Sequence, residues 1–239
     1  MTTAPVHPFV LFGEQHLLVM LIIISLTIAI PLIVKRMHSE LVTRNVALSL
    51  AFALLVSKAG EPIFRILTGE AWPDDLPLHL CDIGGILAGV MLINRHYFLY
   101  ELTYFWGLGG TLQAILTPDL GHGFPHIDFF FFFIAHGLVI VGVIYATVLF
   151  KYRPTLKSIW RTFATTFFYA LLILPVNLIL NTNYLYLCRK PPNPSLLDYL
   201  GPWPWYLLSL AVVGLIFFFI YYSPFWIADV LRKRRNNQS

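Results

Sequence analysis

The chain has 239 residues, 58% hydrophobic and only 12% charged, with 20 Phe, where an ordinary soluble domain carries roughly 45–50% apolar and 25% charged residues. So few charges cannot cover the wet surface of a soluble fold of this length, which excludes a soluble enzyme, a nucleic-acid-binding protein and a disordered chain. The formal charge of +4 names no ligand, since a basic excess in a membrane protein usually marks its cytoplasmic side, and two cysteines, Cys81 and Cys188, are too few for a disulfide scaffold.

About 20 predominantly apolar residues are needed to cross hydrocarbon as a helix, and seven segments answer to that length. The first, 17–34, has no charge inside it; it is longer than a signal-peptide core and no small-residue cleavage site follows, so it reads as a retained helix. The second, 45–67, is interrupted by Lys58, Glu61 and Arg65. The remaining spans are 76–93, 96–117, 127–150, 156–180 and 205–228, and no internal repeat is apparent. The expected fold is therefore all-α: a polytopic bundle of about seven transmembrane helices forming one integral membrane domain over residues 1–239.

Orientation follows from Lys and Arg in alternate loops. One set of loops holds Lys35, Arg36, Arg44, Arg95, Lys151, Arg153, Lys157, Arg161 and the run Arg232, Lys233, Arg234, Arg235, which is twelve of the sixteen; Arg65, Arg189, Lys190 and the intramembrane Lys58 are the rest. The C-terminus is thereby expected in the cytoplasm and, with seven spans, the N-terminus outside. Trp203, Trp205 and Tyr206 at one end of the last span, and Tyr221, Tyr222 and Trp226 near the other, have the pattern of interfacial anchors.

Ionisable side chains inside a span cost at least a few kcal/mol when unpaired, so they normally face the bundle and pair. Lys58 and Glu61 are three apart and Glu61 and Arg65 four apart, spacings at which helical side chains meet. An ion-pair ladder along one helix is the plainer reading, and a polar ligand or proton path is the other. Glu101 sits near the start of the fourth span, where a structural anchor is expected.

The chemistry-bearing residues gather at the other ends of the spans. Leu76-Pro77-Leu78-His79-Leu80-Cys81-Asp82 enters the third span, Thr117-Pro118-Asp119 leaves the fourth, His122 and His126 lie in the connecting loop, and His136 is the one histidine well inside a predicted span. A thiol near a helix N-terminus sees the positive end of the dipole, which stabilises a thiolate, while Asp82 beside it acts in the opposite sense. On helical spacing Cys81 shares a face with Gly84 and Gly85, and His79 shares another with Asp82. The pair Gly85 and Gly89, with Gly107, Gly109 and Gly110 on the next helix, equally serves close backbone packing. A lone buried histidine is commonly a hydrogen-bonded core residue, yet a Cys–His pair is also a common nucleophilic unit for acyl transfer; depths estimated from the span edges put Cys81 and His136 within roughly 6 Å of one another along the membrane normal.

Two other readings stay open. His122 and His126, with His79, Cys81 and Asp82, offer ligand types that zinc takes, although their Gly- and Pro-containing loop removes helical spacing as support. Cys188, in a loop on the same predicted side as Cys81, also allows a disulfide, which would remove Cys81 as a nucleophile. Further along, Pro175 precedes Asn177 and Asn181, four apart, whose amides either bind a head group or satisfy backbone freed by the proline. The proline-containing segment 190–195 is stiff enough to serve as a cover.

Taken in order, the string 76–82, the segment Trp106-Gly107-Leu108-Gly109-Gly110-Thr111-Leu112-Gln113 running on to Thr117-Pro118-Asp119, then Phe124-Pro125-His126, His136-Gly137, Val176-Asn177 and Thr182-Asn183-Tyr184 resemble the YwaF-type bacterial integral membrane family, which is similar to the animal transmembrane protein 164. The resemblance covers nearly the whole chain. It implies a multi-pass lipid enzyme of the cell membrane, because the animal relative is regarded as a glycerophospholipid acyltransferase using a cysteine and a histidine; the motifs carry those roles onto Cys81 and His136. An outer leaflet offers no coenzyme A, which favours a phospholipid as acyl donor.

The expected function is thus acyl transfer or hydrolysis on a membrane glycerophospholipid, with Cys81 as nucleophile and His136 as general base and then acid. Candidate substrate-binding residues are His79, Asp82, Gln113, Thr117, Asp119, Asn177 and Asn181. The expected partner is the membrane lipid substrate, not nucleic acid, and this chemistry calls for no cofactor and no metal. The alternative is a transporter or ligand sensor in which Lys58, Asp82 and His136 hold a polar ligand without covalent change.

Overall fold

The computed structural model describes residues 8–69, 73, 76–191 and 196–237. Seven helical rods dominate these residues, with no strand beyond one isolated antiparallel bridge between Pro8 and His122. The first three are α1 (Glu14–Arg36), α2 (Glu40–Thr68) and α3 (Leu80–Asn94). The fourth is compound: α4 (Tyr97–Trp106) runs through a five-residue π turn (Gly107–Thr111) into α5 (Leu112–Leu116), with right-handed helical backbone at both junctions. Then come α6 (Ile127–Leu149), α7 (Leu156–Leu180) and α8 (Trp205–Asn236). Five of them, α1, α2, α6, α7 and α8, are long and apolar enough to cross a membrane, and α3 is a shorter apolar helix. The chain is a multi-pass membrane protein.

Local chemistry explains where the helices begin and end. Ser39 caps α2 by accepting from the Val42 N–H at 3.3 Å, and Gly69 ends that helix at φ +76°, a left-handed conformation that glycine adopts with no Cβ penalty. At the start of α7, Thr155 and Ser158 form a reciprocal capping box. The 156–180 span coincides with α7, whereas the 76–93 span needs correction because α3 begins at Leu80. Pro77 disfavours helical backbone at Leu76, and the chain stays irregular through His79. The 205–228 span is the front part of α8, whose basic last turn extends to Asn236.

The chain divides into two compact units, residues 1–152 and 153–239. In the first, α6 packs against α1, α2 and α3, and its glycines mark the close approaches. A Cβ at Gly137 would lie 3.0 Å from Ile23 of α1, and one at Gly142 would lie 3.1 Å from Leu92 of α3. Gly107 sits equally close to Val139 and Val143, so the glycine at the head of the π turn allows that rod to lie against α6. Ile23, Ile115, Phe129, Phe133 and Ile140 form a buried apolar cluster in this unit.

In the second unit α7 packs on α8, and Arg153 clamps Asp229 with two bonds, at 2.6 and 3.0 Å. Leu172, Ile179 and Leu208 leave wide apolar faces exposed, the surface a bilayer covers. Of the 190–195 segment, residues 192–195 lie outside the described residues.

Candidate functional site

At the end of the first unit where α2 finishes and α3 and α6 begin, a recess of about 150 Å³ is lined by charged and kinking residues. From α2 come Lys58, Glu61, Pro62 and Arg65; Leu76, Pro77, His79 and Asp82 come from the approach to α3 and its first turn. The same-helix ladder is only half right. Glu61 and Arg65 do pair, at 3.3 Å, but Lys58 crosses to the next helix and meets Asp82 Oδ1 at 2.9 Å. What makes the crossing possible is the missing side chain at residue 85. A Cβ there would lie 2.6 Å from Lys58 Cε and 3.1 Å from Cγ, so the lysine stem lies where a side chain would otherwise stand. The face that Cys81 shares with Gly84 and Gly85 is therefore occupied, by Lys58 at Gly85 and by Trp106, 3.8 Å from a Cβ at Gly84.

Cys81 is partly buried and unbridged, as is Cys188. Its Sγ lies 3.8 Å from Asp82 Oδ1 and donates to it, so the thiol and the Lys58 ammonium share one carboxylate oxygen. His136, on α6, is buried. Its Nδ1 is 2.7 Å from the Phe132 carbonyl oxygen, which can only accept; the proton is on Nδ1 and the lone pair of the neutral ring is on Nε2. Phe132 also stacks on the ring, with centroids 4.1 Å apart. Both Lys58 and Asp82 are within electrostatic reach of His136, and Lys58, Asp82 and Glu61 are within reach of Cys81. The ion pair thus touches Cys81 through Asp82 Oδ1 and acts on His136 through its charges.

A second histidine is more deeply buried than His136 and escapes the sequence reading. His16 lies in the first turn of α1, just ahead of the 17–34 span, where Nδ1 accepts from the Phe12 N–H at 3.0 Å and Nε2 donates to the Ile115 carbonyl at 2.8 Å. Both ring nitrogens are used to tie the start of α1 to α5. Its role is structural.

The other sequence candidates scatter. The recess lining includes His79 and Asp82 but not Gln113, Thr117 or Asp119. Gln113 is half-buried on α5, and the exposed Thr117 turns its hydroxyl back onto the Gln113 carbonyl at 3.1 Å; Asp119 is exposed in the following loop. Asn177 and Asn181 belong to the second unit and do not share a helical face, because Asn181 is the left-handed cap that ends α7. The buried Asn177 side chain closes the turn beyond it, accepting from the Tyr184 N–H and the Thr182 hydroxyl and donating to the Tyr184 carbonyl, all at 2.8–2.9 Å. His122 and His126 converge with Asp128, not with His79, Cys81 and Asp82. Asp128 was missed because only the fold at the start of α6 turns it back toward the loop; the sequence signal was an acid two residues past the second histidine.

Comparison with known proteins agrees with this architecture. Residues 11–222 match the model of the TMEM164 family. An uncharacterized protein of Treponema pallidum (strain Nichols) is 26% identical over 218 residues, covering 91% of this chain and 90% of its own. No solved structure matches.

Proposed function

The chain belongs to the TMEM164 family, and on that footing we propose that it is a membrane-embedded acyltransferase or acyl hydrolase acting on glycerophospholipids through an acyl-cysteine intermediate. One observation carries the proposal: Asp82 Oδ1 holds both the Cys81 thiol and the Lys58 ammonium, so the candidate nucleophile sits in a fixed polar cluster inside an apolar bundle. The tautomer fixed by Phe132 leaves Nε2 as the basic nitrogen of His136, the form a general base needs.

In the first half-reaction Cys81 Sγ attacks the ester carbonyl of a phospholipid as its proton passes to His136 Nε2. The carbon–oxygen bond to glycerol then breaks, and the lysophospholipid alcohol leaves with that proton. In the second, a hydroxyl of another lipid, or water, gives its proton to Nε2 and attacks the thioester, and the thiolate recovers the proton as it leaves. Asp82, which holds the resting thiol, and Lys58, which holds Asp82, position the sulfur. Charges already satisfied by one another at 2.9 Å have less to offer a transported ligand, which favours this reading over a carrier. Within the first unit, Lys35, Arg36, Arg44 and Arg95 cluster at the helix ends opposite the recess, and their basic charge assigns those ends to the cytoplasm and the recess to the other leaflet.

The test is acyl exchange in vesicles holding a phosphatidylcholine donor and a lysophospholipid acceptor, read by mass spectrometry. Cys81→Ala and His136→Ala each abolish exchange and hydrolysis, and the double variant is little worse than either, since members of one catalytic unit are strongly non-additive. Full activity in either single variant overturns the proposal.

A further inference from the structure

Outside the recess, three ligating side chains meet where the loop after α5 enters α6. His122 Nδ1 lies 3.5 Å and His126 Nδ1 3.3 Å from one and the same atom, Asp128 Oδ2. The ligand atoms of the three residues all fall within 4.8 Å of one another, and the two imidazole rings are 4.2 Å apart.

The hydrogen bonding at His126 fixes which ring nitrogen is unprotonated. His126 caps α6 by accepting from the Asp128 N–H at its Nδ1, 3.3 Å away. A backbone N–H only donates, so Nδ1 carries a lone pair and no proton. That nitrogen also lies 3.3 Å from the carboxylate oxygen Oδ2, so a cation bound between the two takes the lone pair over from the Asp128 N–H.

The spacing suits a zinc ion. A tetrahedral zinc ion with bonds of about 2.0–2.1 Å sets its ligand atoms about 3.3 Å apart, and the two nitrogen-to-oxygen edges here are 3.3 and 3.5 Å. Two imidazoles and a carboxylate are a ligand set that zinc favours. Arg65 holds the other carboxylate oxygen, Oδ1, at 3.4 Å, which aims Oδ2 at the histidines as an outer-shell partner does. All three side chains are partly exposed, so the ion has a path in and water completes the fourth position. We propose that His122, His126 and Asp128 form a zinc site at the entrance to α6, independent of the Cys81 chemistry. Because Arg65 also lines the recess, the site stands at its rim and ties the loop after α5 to α2 and α6.

The experiment is metal titration of the full-length, untagged protein in detergent after chelator treatment, using zinc in calorimetry and cobalt(II) for its visible spectrum. The wild type binds one ion per chain, cobalt gives the intense visible bands of a tetrahedral site without sulfur charge transfer, and zinc raises the melting temperature. His122→Ala, in the loop, and His126→Asn, which keeps a capping side chain, each weaken binding at least tenfold and abolish the thermal shift, while Cys81→Ser binds as the wild type does. Absence of saturable one-to-one binding overturns the proposal, as does undiminished binding in both histidine variants or loss of binding in Cys81→Ser.

Discussion

Lys58 Nζ and Asp82 Oδ1 meet at 2.9 Å across two helices, with the lysine side chain 4% exposed and the aspartate 23%. Removing one partner of a buried pair strands the other charge, at a cost of about 3–5 kcal/mol, whereas replacing both with apolar residues of similar volume is often neutral or stabilising. Lys58→Met and Asp82→Leu should each lower the melting temperature in detergent, and the double variant should recover most of the loss. Equal, additive losses would show that the two side chains do not depend on one another. Because the pair also positions Cys81, the recovered double variant should remain inactive.

Gly89 predicts a packing defect that a second change repairs. A Cβ at this position would lie 2.8 Å from Leu55 Cγ and 2.9 Å from Cδ2, branched atoms that cannot swing aside as a lysine stem can. Gly89→Ala should destabilise the α2–α3 contact by about 1–3 kcal/mol, and Leu55→Ala in the same chain should relieve that strain. Thermal melts of the two singles and the double read it directly; a Gly89→Ala variant as stable as the wild type would mean the helices separate freely here.

These two positions also mark what the sequence made legible. Apolar length located every rod, and the 156–180 span coincides with α7. Periodicity offers a side chain only neighbours three or four residues away on its own helix, so Lys58 was paired with Glu61, and Asp82, 24 residues on, was out of reach. For the same reason the glycines of α3 read as generic packing, when Gly85 provides the passage for one particular lysine. Asn177 and Asn181 were paired by their four-residue spacing, which brings side chains together only inside a helix, and Asn181 is the cap that ends it. Asp82 and His136 stood out because an acid and an imidazole are costly within a span wherever they point, and Cys81 because of its place at a helix start and the family resemblance.

Orientation is testable without activity. With twelve of sixteen Lys and Arg in one set of loops, the C-terminus should lie in the cytoplasm. In a background lacking Cys81 and Cys188, a cysteine placed at Asn236 should resist an impermeant thiol reagent in intact cells and react once they are opened. Labelling in intact cells would reverse the topology.

Cys188 separates a nucleophile from a bystander. Both thiols are unbridged, and the Cys188 N–H is held by Asn183 Oδ1 at 3.1 Å in the turn after α7. Peptide mapping without reductant should find no link between the cysteines, and Cys188→Ser should keep full acyl exchange. A Cys81–Cys188 disulfide in the active protein, or loss of activity in Cys188→Ser, would transfer the chemistry away from Cys81.

The mass of Cys81 itself is the most direct reading. Protein reconstituted with a phosphatidylcholine donor, quenched in acid during turnover and mapped by peptide mass spectrometry, should carry the donor's acyl chain on the peptide containing Cys81, as a thioester that hydroxylamine removes. In His136→Ala the same adduct should form about 100-fold more slowly or worse, the loss expected for a general base, and in Cys81→Ala neither adduct nor turnover should remain. Turnover that persists in Cys81→Ala, or an acyl adduct found on Cys188 instead, would contradict the acyl-cysteine mechanism.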